Sequence, residues 1–264
     1  YYLREGASIN LGGKASNLTT LNSYTHIGVK VPRWAGLETT TFFSFVHKSR
    51  ELHLAYNSFR ECFLSWDGSD DTIEAFERDI FPKARNIREL ILSSGISDSL
   101  LSAIKEAYDL ISQYERLAVS VRSSATTEDL PNGSFAGLND SFLFQRTYGD
   151  VINSVRSCWA GIFNERAIDY YLRKRINFDE VAMGVIIQEM VPARFSGTAF
   201  STDVVTGYPA LHITVHGGVQ GVVDGEITGD SYIFNPKDLK LIKKSKGKKG
   251  AMYVAKSDGS GVEK

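Results

Sequence analysis

Between residues 41 and 115, apolar side chains recur at helical spacing. Phe42, Phe45, Leu52, Leu54, Phe59 and Phe63 share one face, and Ile73, Phe76 and Ile80 follow. The same period resumes after Pro82 with Ile87, Leu90 and Ile91, then runs on through residues 96–111. Two polar, Gly-bearing breaks, Trp66-Asp67-Gly68-Ser69-Asp70-Asp71 and Ser93-Ser94-Gly95, divide this text into three or four amphipathic helices. Few chemically active groups fall there, so the region reads as scaffold or lid. Upstream, Leu18 and Leu21 place a helix over residues 15–24; residues 29–31 read as a short strand closed by Pro32, and 36–40 as a second.

The texture changes at Leu117. Residues 117–121 form a buried-strand run, 122–137 a polar loop rich in Gly, Ser and Thr, and 141–144 another strand. Asp150 can cap a long helix over 151–174, and strands are expected at 181–191, 197–201, 210–215, 231–234 and 251–255. Helices, a mixed sheet and then a strand-rich stretch define an α+β protein of two lobes, residues 1–190 and 191–264. The helical stretch 41–115 is an insertion in the first lobe.

Composition narrows the class. With 30 Lys+Arg against 31 Asp+Glu in 264 residues, the net charge of −1 gives no reason to expect nucleic acid or an anionic membrane as partner. No apolar run approaches the ~18 residues of a membrane span. The chain opens Tyr-Tyr-Leu-Arg without a charged-then-apolar leader, the expected look of a trimmed segment. Cys62 and Cys158 stand 96 positions apart, which points to small buried thiols of a reduced, cytoplasmic protein.

The densest chemistry lies in Val121-Arg122-Ser123-Ser124-Ala125-Thr126-Thr127-Glu128-Asp129-Leu130-Pro131, continuing to Ser134-Phe135-Ala136-Gly137. A guanidinium leaving a buried strand for a loop of hydroxyls and glycines suits phosphate, because the fork binds two oxygens and small residues expose backbone N–H groups. A surface turn in which Arg122 caps carbonyls is the plainer reading of the same residues. Gly12-Gly13-Lys14 at a helix start is a second anion candidate. Gln188-Glu189-Met190-Val191 ends a strand on polar groups. His212 and His216 share one face of a strand without further ligands at useful spacing, and read as structural. The lysines from 240 to 249 read as a solvated hairpin. Walker, Ser-His-Asp, Gly-x-Ser-x-Gly and Rossmann patterns do not occur.

Several blocks in order resemble the pyruvate phosphate dikinase and phosphoenolpyruvate synthase family. They are Gly12-Gly13-Lys14-Ala15-Ser16-Asn17-Leu18, Gly28-Val29-Lys30-Val31-Pro32, the Arg122 block, Cys158-Trp159-Ala160-Gly161-Ile162-Phe163-Asn164-Glu165-Arg166-Ala167, and Gln188-Glu189-Met190-Val191 with Ser196-Gly197 and Asp203. The resemblance spans about residues 12–230, and the helical stretch carries little of it.

That resemblance implies an ATP-grasp-like nucleotide-binding domain, with ATP between two lobes and Mg²⁺ as its companion ion. Such a domain cleaves ATP and phosphorylates a histidine on a separate swivelling domain, which then serves an acceptor domain. In the full enzyme, pyruvate, ATP and water give phosphoenolpyruvate, AMP and phosphate. By motif, Lys14 and Arg122 would hold the ATP phosphates and carry the catalytic charge. Gly137 would lie in a phosphate-covering loop with Ser141 after it, and Gln188, Glu189 and Val191 would line the adenine hinge. The resemblance also places the acidic Mg²⁺ ligands beyond Lys264, so the domain is expected to be C-terminally incomplete and inactive alone. Two departures keep other readings open. The family's Gly-Leu-Gly-Glu is Gly217-Gly218-Val219-Gln220 here, and Asp203 precedes Val204 rather than Pro. The rivals are a rifampin-type antibiotic phosphotransferase and a degenerate, non-catalytic nucleotide-binding homologue.

Overall fold

The computed structural model describes residues 2–3, 9–69, 71–113, 117–127, 141–203, 206–219, 229–248, 252, 254–256 and 262–263. The chain divides into two compact units, Tyr1–Met190 and Val191–Lys264.

The first unit is built on a five-stranded antiparallel sheet in the order β1 (Tyr2–Leu3), β2 (Trp34–Leu37), β5 (Met183–Glu189), β3 (Val119–Ala125), β4 (Ser141–Gln145). Side chains alternate across the pleat. Val119, Val121 and Ala125 of β3, with Met183, Val185 and Ile187 of β5, therefore enter the main core. Ser120, Arg122 and Ser124, with Gly184, Ile186 and Gln188, lie on the opposite face.

The main core is closed by α2 (Thr39–Lys48), α3 (Arg50–Leu64), α4 (Ile73–Ser93), α5 (Asp98–Ile111), α6 (Tyr148–Ala160) and α7 (Glu165–Arg173). Ser49 caps α3 by accepting from the Leu52 N–H, and Thr147 with Asp150 forms a reciprocal capping box at α6. The centre is aromatic. Phe59 and Phe178 approach to 4.9 Å between ring centroids, as do Phe45 and Trp159.

The opposite face receives α1 (Gly13–Asn22), where Leu11 and Ala15 cover Ile186. Gly184 is required beneath it, because a Cβ there would sit 2.5 Å from the Leu11 carbonyl oxygen.

Three elements differ from the sequence expectation. Residues 29–31 form no strand, and the strand expected over 36–40 lies at Trp34–Leu37, because α2 begins at Thr39. The helix expected over 151–174 is two helices, because Asn164 adopts an extended backbone and its side chain caps α7 through the Arg166 N–H. β3 continues through Arg122 to Ala125, whereas the sequence reading ends the strand at residue 121 and opens the polar loop at 122.

The second unit contains a four-stranded antiparallel sheet, β6 (Phe195–Thr202), β7 (Pro209–Gly217), β8 (Asp230–Phe234) and β9 (Leu241–Ser245), in that order. Separately, β10 (Val254–Ala255) pairs antiparallel with β11 (Val262–Glu263). The lysine-rich stretch is thus partly an exposed edge strand, whose charges discourage further strand pairing. Among the described residues, no helix is long and apolar enough to cross a membrane.

Candidate anion-binding site

Arg122 sits in mid-strand on β3, in register with Ile186 of β5 on one side and with Ser141, the exposed first residue of β4, on the other. Residues paired across strands share a face, so Arg122 and Ser141 point to the same side of the sheet. Diagonally across from Arg122 stands Gln188, only 6% exposed. The Arg122 Nη1 donates to Gln188 Oε1 at 3.1 Å, and Gln188 Nε2 donates to the Pro32 carbonyl at 3.4 Å. Ser120 Oγ donates to the Gln188 carbonyl.

The start of α1 lies on this same face. Gly12 adopts φ +77°, and a Cβ there would fall 2.0 Å from the Ser124 carbonyl oxygen, so only glycine permits the approach. The hydroxyl of Ser124 accepts the Ala15 N–H at 3.1 Å. Lys14, half-buried in the first turn of α1, is thereby tied to the strand that carries Arg122. The first turn contains no acidic side chain. A helix N-terminus whose first turn carries Lys14, and a guanidinium on the same sheet face, suit a multiply charged anion.

Where β3 ends, its exit is clamped. Thr126 exchanges backbone bonds with the 180–182 segment: its N–H donates to the Ala182 carbonyl at 3.0 Å, its Oγ1 donates to the Glu180 carbonyl at 2.7 Å, and it accepts from the Ala182 N–H. The Thr127 hydroxyl is buried beside the phenol of Tyr171, whose own burial pushes its pKa well above the usual tyrosine range. The remainder of the loop, with Gly137, lies outside the described residues.

Glu189 faces away from Gln188, as strand alternation requires. Its Oε2 pairs with Arg33 Nε at 2.9 Å, and the Arg33 guanidinium also donates to the carbonyls of Leu110 and Ile111 at the end of α5. Val191 opens the second unit and is half exposed.

In that second unit, folding assembles residues that no linear motif announced. His212 Nε2 lies 2.8 Å from Ser231 Oγ, and its Nδ1 lies 3.7 Å from Asp203 Oδ1. The imidazole is 8% exposed, and the contacts join β8 to β7 and to the turn after β6, which fits the structural role read from the sequence. His216 is buried on the same face. Among the described residues, no three His, Cys, Asp or Glu side chains converge as a metal site.

The described residues form a mixed α/β chain with two main antiparallel sheets, and Lys14 and Arg122 belong to elements packed on one face of the first. Residues 9–264 match the family model "Pyruvate phosphate dikinase, AMP/ATP-binding domain", and the chain belongs to that family. It is 32% identical to a probable phosphoenolpyruvate synthase of Methanothermobacter thermautotrophicus, over 96% of this chain and 36% of that protein. The phosphoenolpyruvate synthase of Helicobacter pylori is 31% identical, over 96% of this chain and 32% of its own length. That of Aquifex aeolicus is 32% identical, over 92% and 29%. The chain spans about a third of the length of these relatives.

Proposed function

We propose that this chain is the ATP-binding portion of a phosphoenolpyruvate-synthase-like dikinase. The observation that carries the reading is the placing of Lys14, at the α1 N-terminus, and Arg122, in mid-β3, on one face of one sheet. Family membership and the names of the relatives support reading that anion as the phosphate chain of ATP. In this reading the fold is ATP-grasp-like, with residues 1–190 as its first lobe and 191–264 as part of its second. Lys14 and Arg122 neutralise and hold the phosphates, with Gly137 contributing from the loop beyond β3 and Ser141 from the start of β4. Glu189 and Val191 belong to the adenine end.

Phosphoryl transfer depends chiefly on orienting the phosphates and stabilising their charge. These residues supply that charge without forming a covalent bond themselves. Mg²⁺, which would neutralise further charge on the nucleotide, finds no ligand cluster among the described residues, and no step is assigned to it. The phosphoryl group would pass to a histidine on a swivelling domain of the longer protein, and from there to pyruvate in an acceptor domain.

Product analysis on the intact protein tests this. The reading predicts that ATP is converted to AMP and phosphate with phosphoenolpyruvate formed from added pyruvate. Formation of ADP, or turnover that requires rifampin in place of pyruvate, contradicts it. Binding of ATP without any turnover would identify a non-catalytic homologue.

A further inference from the structure

We propose that Gln188 is a positioning residue for Arg122, so that it sets affinity for the phosphate chain rather than for the base. The inference rests on the reading of Arg122 as a phosphate ligand. Three observations lead to it.

First, Gln188 does not point along the chain toward the end of β5. Strand alternation puts it on the α1 face with Ser120, Arg122 and Ser124, while Glu189 turns to the helical face and pairs with Arg33. Second, both ends of its amide are engaged. Oε1 accepts from Arg122 Nη1 at 3.1 Å, and Nε2 donates to the Pro32 carbonyl. Because the carbonyl can only accept and the guanidinium can only donate, these two partners fix which way the amide points. Third, Gln188 is buried, and Ser120 Oγ donates to its backbone carbonyl, so the side chain is presented from a fixed point on the sheet.

The consequence is geometric. An arginine side chain has several rotatable bonds, and holding its fork in place removes freedom that phosphate binding would otherwise have to restrict. Gln188 supplies a neutral acceptor for this. It orients the guanidinium without cancelling its charge, which a carboxylate at the same position would do. The segment ending at Pro32 is thereby linked to Arg122 through one amide. A base-contacting residue would need its amide turned toward the ligand instead.

The test is a set of titrations of the intact protein with ATP, inorganic tripolyphosphate and adenosine. Gln188→Leu is expected to weaken ATP and tripolyphosphate by about tenfold, the scale of losing one orienting hydrogen bond, and to leave adenosine binding unchanged. In an Arg122→Ala background the same substitution should add no further loss, since the two residues act as one unit. Adenosine weakened along with ATP, with tripolyphosphate unaffected, would show that Gln188 contacts the base and overturn the proposal. Full additivity of the two substitutions would overturn it as well.

Gln188→Glu covers the case in which Gln188→Leu fails to fold. The carboxylate keeps the acceptor and the shape but pairs with the guanidinium, so tripolyphosphate should weaken while adenosine does not. If Arg122→Ala alone leaves tripolyphosphate affinity unchanged, the phosphate assignment itself is wrong and the proposal falls with it. That result is distinct from a loss seen in Arg122→Ala and absent in both Gln188 variants, which refutes the positioning role alone.

Discussion

The Ala15 N–H donates to Ser124 Oγ at 3.1 Å, joining residues 109 apart in the sequence. Both are buried, so this bond fixes the first turn of α1, which includes Lys14, against β3. Ser124→Ala leaves a buried N–H without its acceptor and is expected to destabilise the protein by about 1–3 kcal/mol. Urea denaturation measures this directly, and an unchanged midpoint would contradict the docking role of Ser124.

Gly12 and Gly28 provide a controlled comparison. Both have positive φ, +77° and +91°, but a Cβ at Gly28 meets nothing within 4 Å, whereas one at Gly12 meets the Ser124 backbone. Gly28→Ala should cost roughly 1 kcal/mol from backbone strain alone. Gly12→Ala adds a backbone overlap and should cost on the order of 2–4 kcal/mol. Equal thermal shifts in the two variants would refute the close approach of α1 to β3.

Much of this site could be read from sequence because its parts are local. Arg122 and Lys14 each sit in a short motif whose residue types carry the chemistry, and the apolar period of residues 41–115 announces three or four helices, of which the structure forms four, with Leu54 exposed rather than on the buried face. What escaped reading is non-local. The Ser124–Ala15 bond, the turn of Gln188 toward Arg122 and the meeting of Asp203, His212 and Ser231 all depend on strand pairing, which single-strand periodicity does not encode. The division of the expected 151–174 helix at Asn164 had a signal, since Asn followed by Glu165 is a helix start, but the apolar spacing on either side masked it. The edge strand at Leu241–Ser245 was hidden by its lysines, which are exposed and so break the usual alternation.

The aromatic centre should respond as one unit. Phe59 packs on Phe178 and Phe163, at 4.9 and 5.2 Å between centroids, and Phe178 also packs, tilted, against Phe63. Phe59→Ala and Phe178→Ala are each expected to cost about 3–5 kcal/mol. The double variant should lose less than the sum, because both remove the same contact. Strict additivity in denaturation would show that the two rings do not share a packing unit.

Glu77 gives the protein a pH dependence with a definite sign. Burial, then the neighbouring carboxyl of Asp169, raise its pKa above the ordinary glutamate range, against the opposing Arg173. A raised carboxyl pKa means the folded state favours the protonated form. Its stabilising contribution is therefore present below the unfolded pKa and is lost as pH rises through the folded one. Glu77→Gln, which mimics the protonated group, should raise the melting temperature near neutral pH and lose that advantage in mild acid. A melting-temperature difference that does not change with pH would contradict the assignment.

The most direct test of the central claim is calorimetric titration of the intact protein with ATP, beside its Arg122→Ala and Lys14→Ala variants. Each substitution is expected to weaken ATP by about 1.5–3 kcal/mol, the worth of a charge-assisted hydrogen bond to phosphate. Saturable binding by the parent with that loss in both variants places the phosphates on the face shared by α1 and β3. ATP affinity unchanged in both variants would show that this face is not where the nucleotide binds.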